Sequence, residues 1–121
     1  MWNGIDRRKF PRAFYKCLIT IKRRLTSKVI STQTENIGAG GICVLIKEDL
    51  GLFQGVDLEI QLDDSNPPVK CGGTVVWVVK KVNPRSKGEP LYDTGIEFID
   101  IRPGDQDRIS GIVESLLDKE K

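Results

Sequence analysis

Histidine is absent from all 121 residues. That removes the commonest general base, the commonest metal ligand and every Ser-His or Cys-His nucleophile pair. Cysteine is scarce and odd in number. Cys17, Cys43 and Cys71 share no metal-type spacing, and each sits in or beside an apolar stretch. They read as buried free thiols in a reducing compartment, with neither a disulfide framework nor a metal site. Long apolar runs are also missing. Val75–Val79 is among the longest, far short of the roughly 20 residues a membrane helix needs. The opening Met1-Trp2-Asn3-Gly4-Ile5-Asp6-Arg7 lacks the apolar core of a signal peptide. The expectation is a cytoplasmic protein without membrane insertion. Aromatic residues are only 7%, a thin supply of stacking surface for a barrel that binds nucleic acid, so no such partner is expected. The adjacent carboxylates Glu48-Asp49 and Asp63-Asp64 fall in expected turns and read as solvated surface charge. A non-enzymatic chain without metal or cofactor follows.

What is present is ordinary in bulk and uneven in placement. Charged residues are 30% and hydrophobic ones 39%, which suits one soluble domain able to bury a core without disulfides. The net charge of +2 conceals an asymmetry. The first thirty residues carry nine basic side chains against one acid, and the remainder carries ten basic against sixteen acidic. Positive charge gathered at one end of a chain suggests an anionic partner for that segment.

Along the chain, residues 1–14 read as an arm, because Pro11 removes a backbone donor and biases Phe10 away from helix. Tyr15–Lys22 alternates, with Cys17, Ile19 and Ile21 on one face and Leu18 interrupting the pattern. Val29–Ile37 is β-branched and polar, as a half-exposed strand should be. Gly38-Ala39-Gly40-Gly41 is a turn or bulge before the apolar run Ile42–Ile46, and Leu50–Gly55 reads as a loop. Val56–Leu62 alternates cleanly. Val69–Val82 is a long strand, Asn83–Leu91 a turn by composition, and Tyr92–Asp100 a last strand. Residues 103–117 form the one expected helix. Pro103 suits its first turn, Asp105 and Asp107 favour the positive end of its dipole, and Ile109, Ile112, Val113, Leu116 and Leu117 share one stripe. Six or so short strands and a terminal helix predict a small antiparallel barrel or sandwich over residues 15–100.

Two constellations carry candidate chemistry. The first is Arg7-Arg8-Lys9-Phe10-Pro11-Arg12. Guanidiniums make bidentate contacts with phosphate or with the O6/N7 edge of guanine, and they stack on planar bases. The second is Asn36-Ile37-Gly38-Ala39-Gly40-Gly41, between two strands. Asn36 offers both a donor and an acceptor to a base edge, and the glycines let a flat ligand approach. The same glycines also suit a plain tight turn with positive φ.

In this order the two pieces resemble the PilZ family, whose signature is RxxxR followed by (D/N)xSxxG. Arg8 to Arg12 matches the first half intact. Asn36 to Gly41 matches the second at Asn36 and Gly41, with Gly38 where the family has serine. Val75-Val76-Trp77-Val78 is similar to an apolar family strand that often carries tryptophan, and Tyr92–Phe98 to its Tyr-x-x-Gly-x-x-Phe strand. The resemblance runs from about Arg7 to Leu117 and spans one domain, residues 1–121.

The resemblance implies a mainly β protein: a six-stranded antiparallel PilZ-type barrel with a C-terminal α-helix and a flexible N-terminal arginine arm. It implies a cyclic di-GMP receptor in which Arg8 and Arg12 grip guanine and phosphate. Asn36 would bind a guanine edge, and Gly41 would let the ring lie against the barrel. Arg7 resembles members that take a stacked ligand pair. At Gly38 a hydroxyl contact is missing, worth about 0.5–1.5 kcal/mol, or roughly two- to tenfold in affinity. On this reading the arm changes conformation on binding and the signal passes to an effector protein in trans. The alternative is a degenerate adaptor that binds a protein and no dinucleotide.

Overall fold

Alternating apolar positions become the inward faces of barrel strands. The computed structural model of the chain describes residues 12–62, 64–82 and 88–119. Within them lie seven strands: β1 Arg12–Phe14, β2 Leu18–Arg23, β3 Val29–Gly38, β4 Gly41–Ile46, β5 Gly55–Gln61, β6 Val69–Val82 and β7 Pro90–Ile99. One helix, α1, follows at Pro103–Lys119. All strand pairs are antiparallel. Around the sheet the order is β2–β5–β6–β7–β4–β3, and β3 returns to β2, so six strands close into a barrel and β1 lies outside that ring. Closure leaves no long open edge in the ring.

β3 serves three partners because it is ten residues long. Residues 29–33 pair with β2, and 34–38 pair with β4 on the other edge. β1 pairs with residues 36–38, continuing the edge that β2 occupies. The link between β1 and β2 is stitched to β3 through Thr34, a polar residue with almost no solvent exposure. Its hydroxyl donates to the Tyr15 carbonyl (2.6 Å) and accepts from the Cys17 amide (3.1 Å). A buried hydroxyl persists where both capacities are used.

The core takes Ile19 and Ile21 from β2, Ile42, Val44 and Ile46 from β4, and Val56, Leu58 and Ile60 from β5. Val75, Ile96 and Phe98 join them from β6 and β7. α1 packs against β1 and β3. It sends Ile109 and Val113 into this cluster, and the Gln106 amide donates to the Ala39 carbonyl at 3.1 Å.

Several expected boundaries move. The first barrel strand starts at Leu18, and Leu18 points to solvent, in step with buried Cys17 and Ile19. The interruption read there is outward-facing alternation. β7 begins at Pro90, inside the segment expected as a turn. Pro90 opens the strand, where a missing donor costs least. Residues 12–14, expected within the arm, form β1, because Ala13 is buried in the core opposite Ile37. Residues 1–11, which hold the rest of the arm, lie outside the described residues. The glycines of the β3–β4 turn do not adopt the positive φ that a tight turn suggested. Among the described residues the glycines with positive φ are Gly51 and Gly88.

Candidate functional site

Two β-bulges organise the outer face of the barrel. Between Thr34 and Asn36 the β3–β4 register shifts, so Glu35 is the extra residue. Thr34 and Ile37 can then both face inward while Asn36 faces out. Between Val75 and Trp77 the β6–β7 register shifts in the same way, with Val76 extra. Val75 stays in the core and Trp77 turns outward. A bulge inserts one residue and re-aims the side chains beyond it.

The registers place Asn36, Cys43, Gly95 and Trp77 in one row across β3, β4, β7 and β6. Trp77 lies flat over Gly95. A Cβ on residue 95 would fall among the indole atoms Cδ2, Cε2 and Cε3. β1 adds Arg12 opposite Gly38 and Phe14 opposite Asn36. The Arg12 guanidinium reaches across this face and stands 5.2 Å from the centre of the Trp77 ring, a cation–π contact. The floor beneath is Gly38, Gly41, Cys43 and Gly95, with little side-chain bulk.

Polar groups around this floor are unevenly satisfied. Asn36 Oδ1 is buried and accepts no hydrogen bond among the described residues. Leaving such an acceptor unmet costs about 1–3 kcal/mol, so it is ready for a donor from a ligand. The Cys43 thiol donates to Asp93 Oδ1 at 2.8 Å, and Lys81 Nζ lies 3.5 Å from the other Asp93 oxygen. Burial pushes the Cys43 thiol up to about 12, and its bond to Asp93 and the charges of Asp93 and Glu35 push the same way; Arg12 opposes them. The thiol is therefore a neutral, poorly nucleophilic part of the floor.

Of the six residues expected to bind a ligand, the structure brings Arg12, Asn36, Gly38 and Gly41 to one face at the β1–β3–β4 junction. Arg7 and Arg8 lie outside the described residues. Gly41 has a packing reason of its own, since a Cβ there would run into the Ile96 carbonyl oxygen of β7. Trp77, Gly95, Cys43 and Asp93 were missed as site residues. A signal existed in Val75–Val79, an apolar run without alternation in the middle of a long strand. A face switch by a bulge leaves that trace.

The face offers cations, a planar aromatic surface, an open acceptor and a glycine floor. Together these suit an anionic ligand with planar donor-bearing rings. Among the described residues no cluster of three or more Cys, Asp or Glu is placed to hold a metal ion, and no helix is long and apolar enough to cross a membrane.

A family model described as the PilZ domain matches residues 6–115. No curated protein matches the sequence. Among solved structures, the inhibitor of motility MotI (DgrA) of Bacillus subtilis is similar, with TM-score 0.75, 23% identity, and coverage of 95% of this chain and 53% of that one. The complex of K. pneumonia MrkH with c-di-GMP gives TM-score 0.73 at 18% identity, covering 92% and 52%. The PilZ domain of Escherichia coli YcgR with c-di-GMP gives TM-score 0.66 at 12% identity, covering 94% of both chains. The chain thus spans about half the length of MotI and MrkH.

Proposed function

Because the chain belongs to the PilZ domain family, we propose that it is a cyclic di-GMP receptor whose ligand lies on the outer face between Arg12, Asn36 and Trp77. The observation that carries this reading is the Arg12–Trp77 contact above a glycine floor, beside the open Asn36 acceptor. The ligand brings two phosphates and two guanines. A guanine presents N–H donors to Asn36 Oδ1 and its O6/N7 edge to a guanidinium. The similar MrkH and YcgR structures carry c-di-GMP, which supports the choice of ligand.

In this mechanism Arg12 leaves the indole when ligand arrives and exchanges a cation–π contact for charge-assisted bonds to phosphate or guanine. Arg8, with Arg7 beside it, supplies the second guanidinium from the preceding segment. That segment changes conformation as the ligand binds and presents a changed surface to an effector protein in trans. Gly38 contributes no hydroxyl, so affinity is set by the arginines and Asn36. Gly38 also favours a second reading, a PilZ-type adaptor that binds only protein.

Calorimetric titration with cyclic di-GMP, beside GTP and an Arg12→Ala control, separates the two. The receptor reading expects saturable binding that Arg12→Ala removes and GTP does not reproduce. Absence of heat at high ligand concentration would leave the adaptor reading.

A further inference from the structure

Two chain reversals meet at one end of the barrel. They are the β2–β3 turn over residues 24–28 and the β4–β5 loop over residues 47–54. Leu25 of the turn and Gln54 of the loop line the same narrow crevice, with Arg23, Arg24, Leu50 and Gly55. Glu48 pairs with Lys28 and lies 4.0 Å from Arg23, so ion pairs tie the two reversals together.

Their tips are apolar and exposed. Leu25 is 81% exposed, Phe53 70% and Leu52 49%. Phe53 also has a φ of 66°, a left-handed conformation that a bulky residue adopts only under constraint. The constraint is visible: the Phe53 amide donates to the Val75 carbonyl at 2.7 Å, and the Val75 amide donates to the Gln54 carbonyl at 3.0 Å. A strained backbone that fixes an aromatic ring in solvent points to a function for the ring.

The two reversals and the strand ends beside them carry five cations, Lys22, Arg23, Arg24, Lys28 and Lys47, against three acids, Glu48, Asp49 and Asp57. Arg23, Arg24 and Lys28 are in ion pairs. The acids are largely engaged: Glu48 as above, Asp57 with Arg24 at 3.0 Å, and Asp49 as acceptor from the Gly51 amide. Lys22 and Lys47 make no ion pair among the described residues. From this combination we propose that the tip is a docking surface for a lipid bilayer bearing anionic headgroups. Two convex turns carry apolar side chains that enter the headgroup boundary, and the flanking cations meet the anionic surface. A second copy of the chain is disfavoured, because an isologous contact would set like charges against each other. The contact is peripheral, and it stands whether or not the cyclic di-GMP reading holds.

Co-sedimentation of the intact protein with vesicles tests it, using phosphatidylcholine alone and phosphatidylcholine mixed with phosphatidylglycerol. The proposal expects binding to the mixed vesicles, weakened by added salt, and about tenfold weaker partition for the double variant Leu25→Asp, Phe53→Asp. Aspartate tolerates a left-handed φ, so the variant should keep the wild-type melting curve, which is measured alongside. Lack of sedimentation at low salt overturns the proposal. So does equal binding to both vesicle types, an unchanged partition of a folded variant, or a variant-sensitive dimer in gel filtration without vesicle binding.

Discussion

Replacing Gly95 by alanine should dislodge Trp77 and with it the outer face of the barrel. An added Cβ would stand well inside 3.0 Å of three indole atoms, closer than real Cβ contacts allow. The indole is rigid and cannot yield as the end of a lysine could, so the whole side chain must rotate or β7 must shift. Overpacking of this kind costs about 1–3 kcal/mol, and loss of the Arg12 cation–π contact adds about 0.5–2 kcal/mol. Part of the strain relaxes as the ring moves, which brings the expected destabilisation to about 2–3 kcal/mol. Urea unfolding followed by circular dichroism reads this as a lower midpoint at unchanged slope. Indole emission in a Trp2→Phe background should shift to the red, since Trp77 is then the only fluorophore of its kind. If Gly95→Ala unfolded at the wild-type midpoint with unchanged emission, Trp77 would not lie on Gly95 and the row built on it would be wrong.

Three further outcomes follow from the same structure. Gly38→Ser restores the hydroxyl of the family pattern and should tighten cyclic di-GMP binding roughly two- to tenfold by calorimetry, without changing stoichiometry. The Cys43 thiol, raised to about 12, should label slowly with a maleimide in the native state at pH 8; Asp93→Asn removes an acceptor and a nearby negative charge and should speed that labelling. Asp64 is held down to about 2 from 3.8, first by its paired hydrogen bonds from Arg108 and then by Asn66, against an opposing desolvation. Its folded value lies below its unfolded one, so the stabilisation is complete above 3.8 and is lost as pH falls through about 2. Melting temperature against pH should therefore fall less steeply across that window in Arg108→Leu than in the wild type.

Much of the barrel was legible because its signals are local. β6 spans Val69–Val82, an apolar-centred stretch bounded by turn composition, and α1 starts at Pro103 with Asp105 in its first turn. The strands flanking the β3–β4 turn were placed within a residue or two. What escaped depends on pairing between distant segments. β1 is three residues long and contains Arg12, so nothing local marks it as a strand; its partner is twenty-odd residues away. The outward turn of Trp77 depends on a bulge, and its match with Gly95 depends on the β6–β7 register. Cys43 joined the floor for the same reason. The family pattern pointed to Arg12 and Asn36 as candidates, while the aromatic and thiol that share their face emerged only once the sheet was closed.

The most direct test of the proposed binding face is an amide-detected NMR titration of the intact chain with cyclic di-GMP. The account predicts saturable shifts at Asn36, Gly38, Cys43 and Gly95 and at the indole N–H of Trp77, with the C-terminal half of α1 unmoved. A spectrum that stays unchanged, or one that shifts at α1 while the Asn36–Trp77 row stays still, would contradict it.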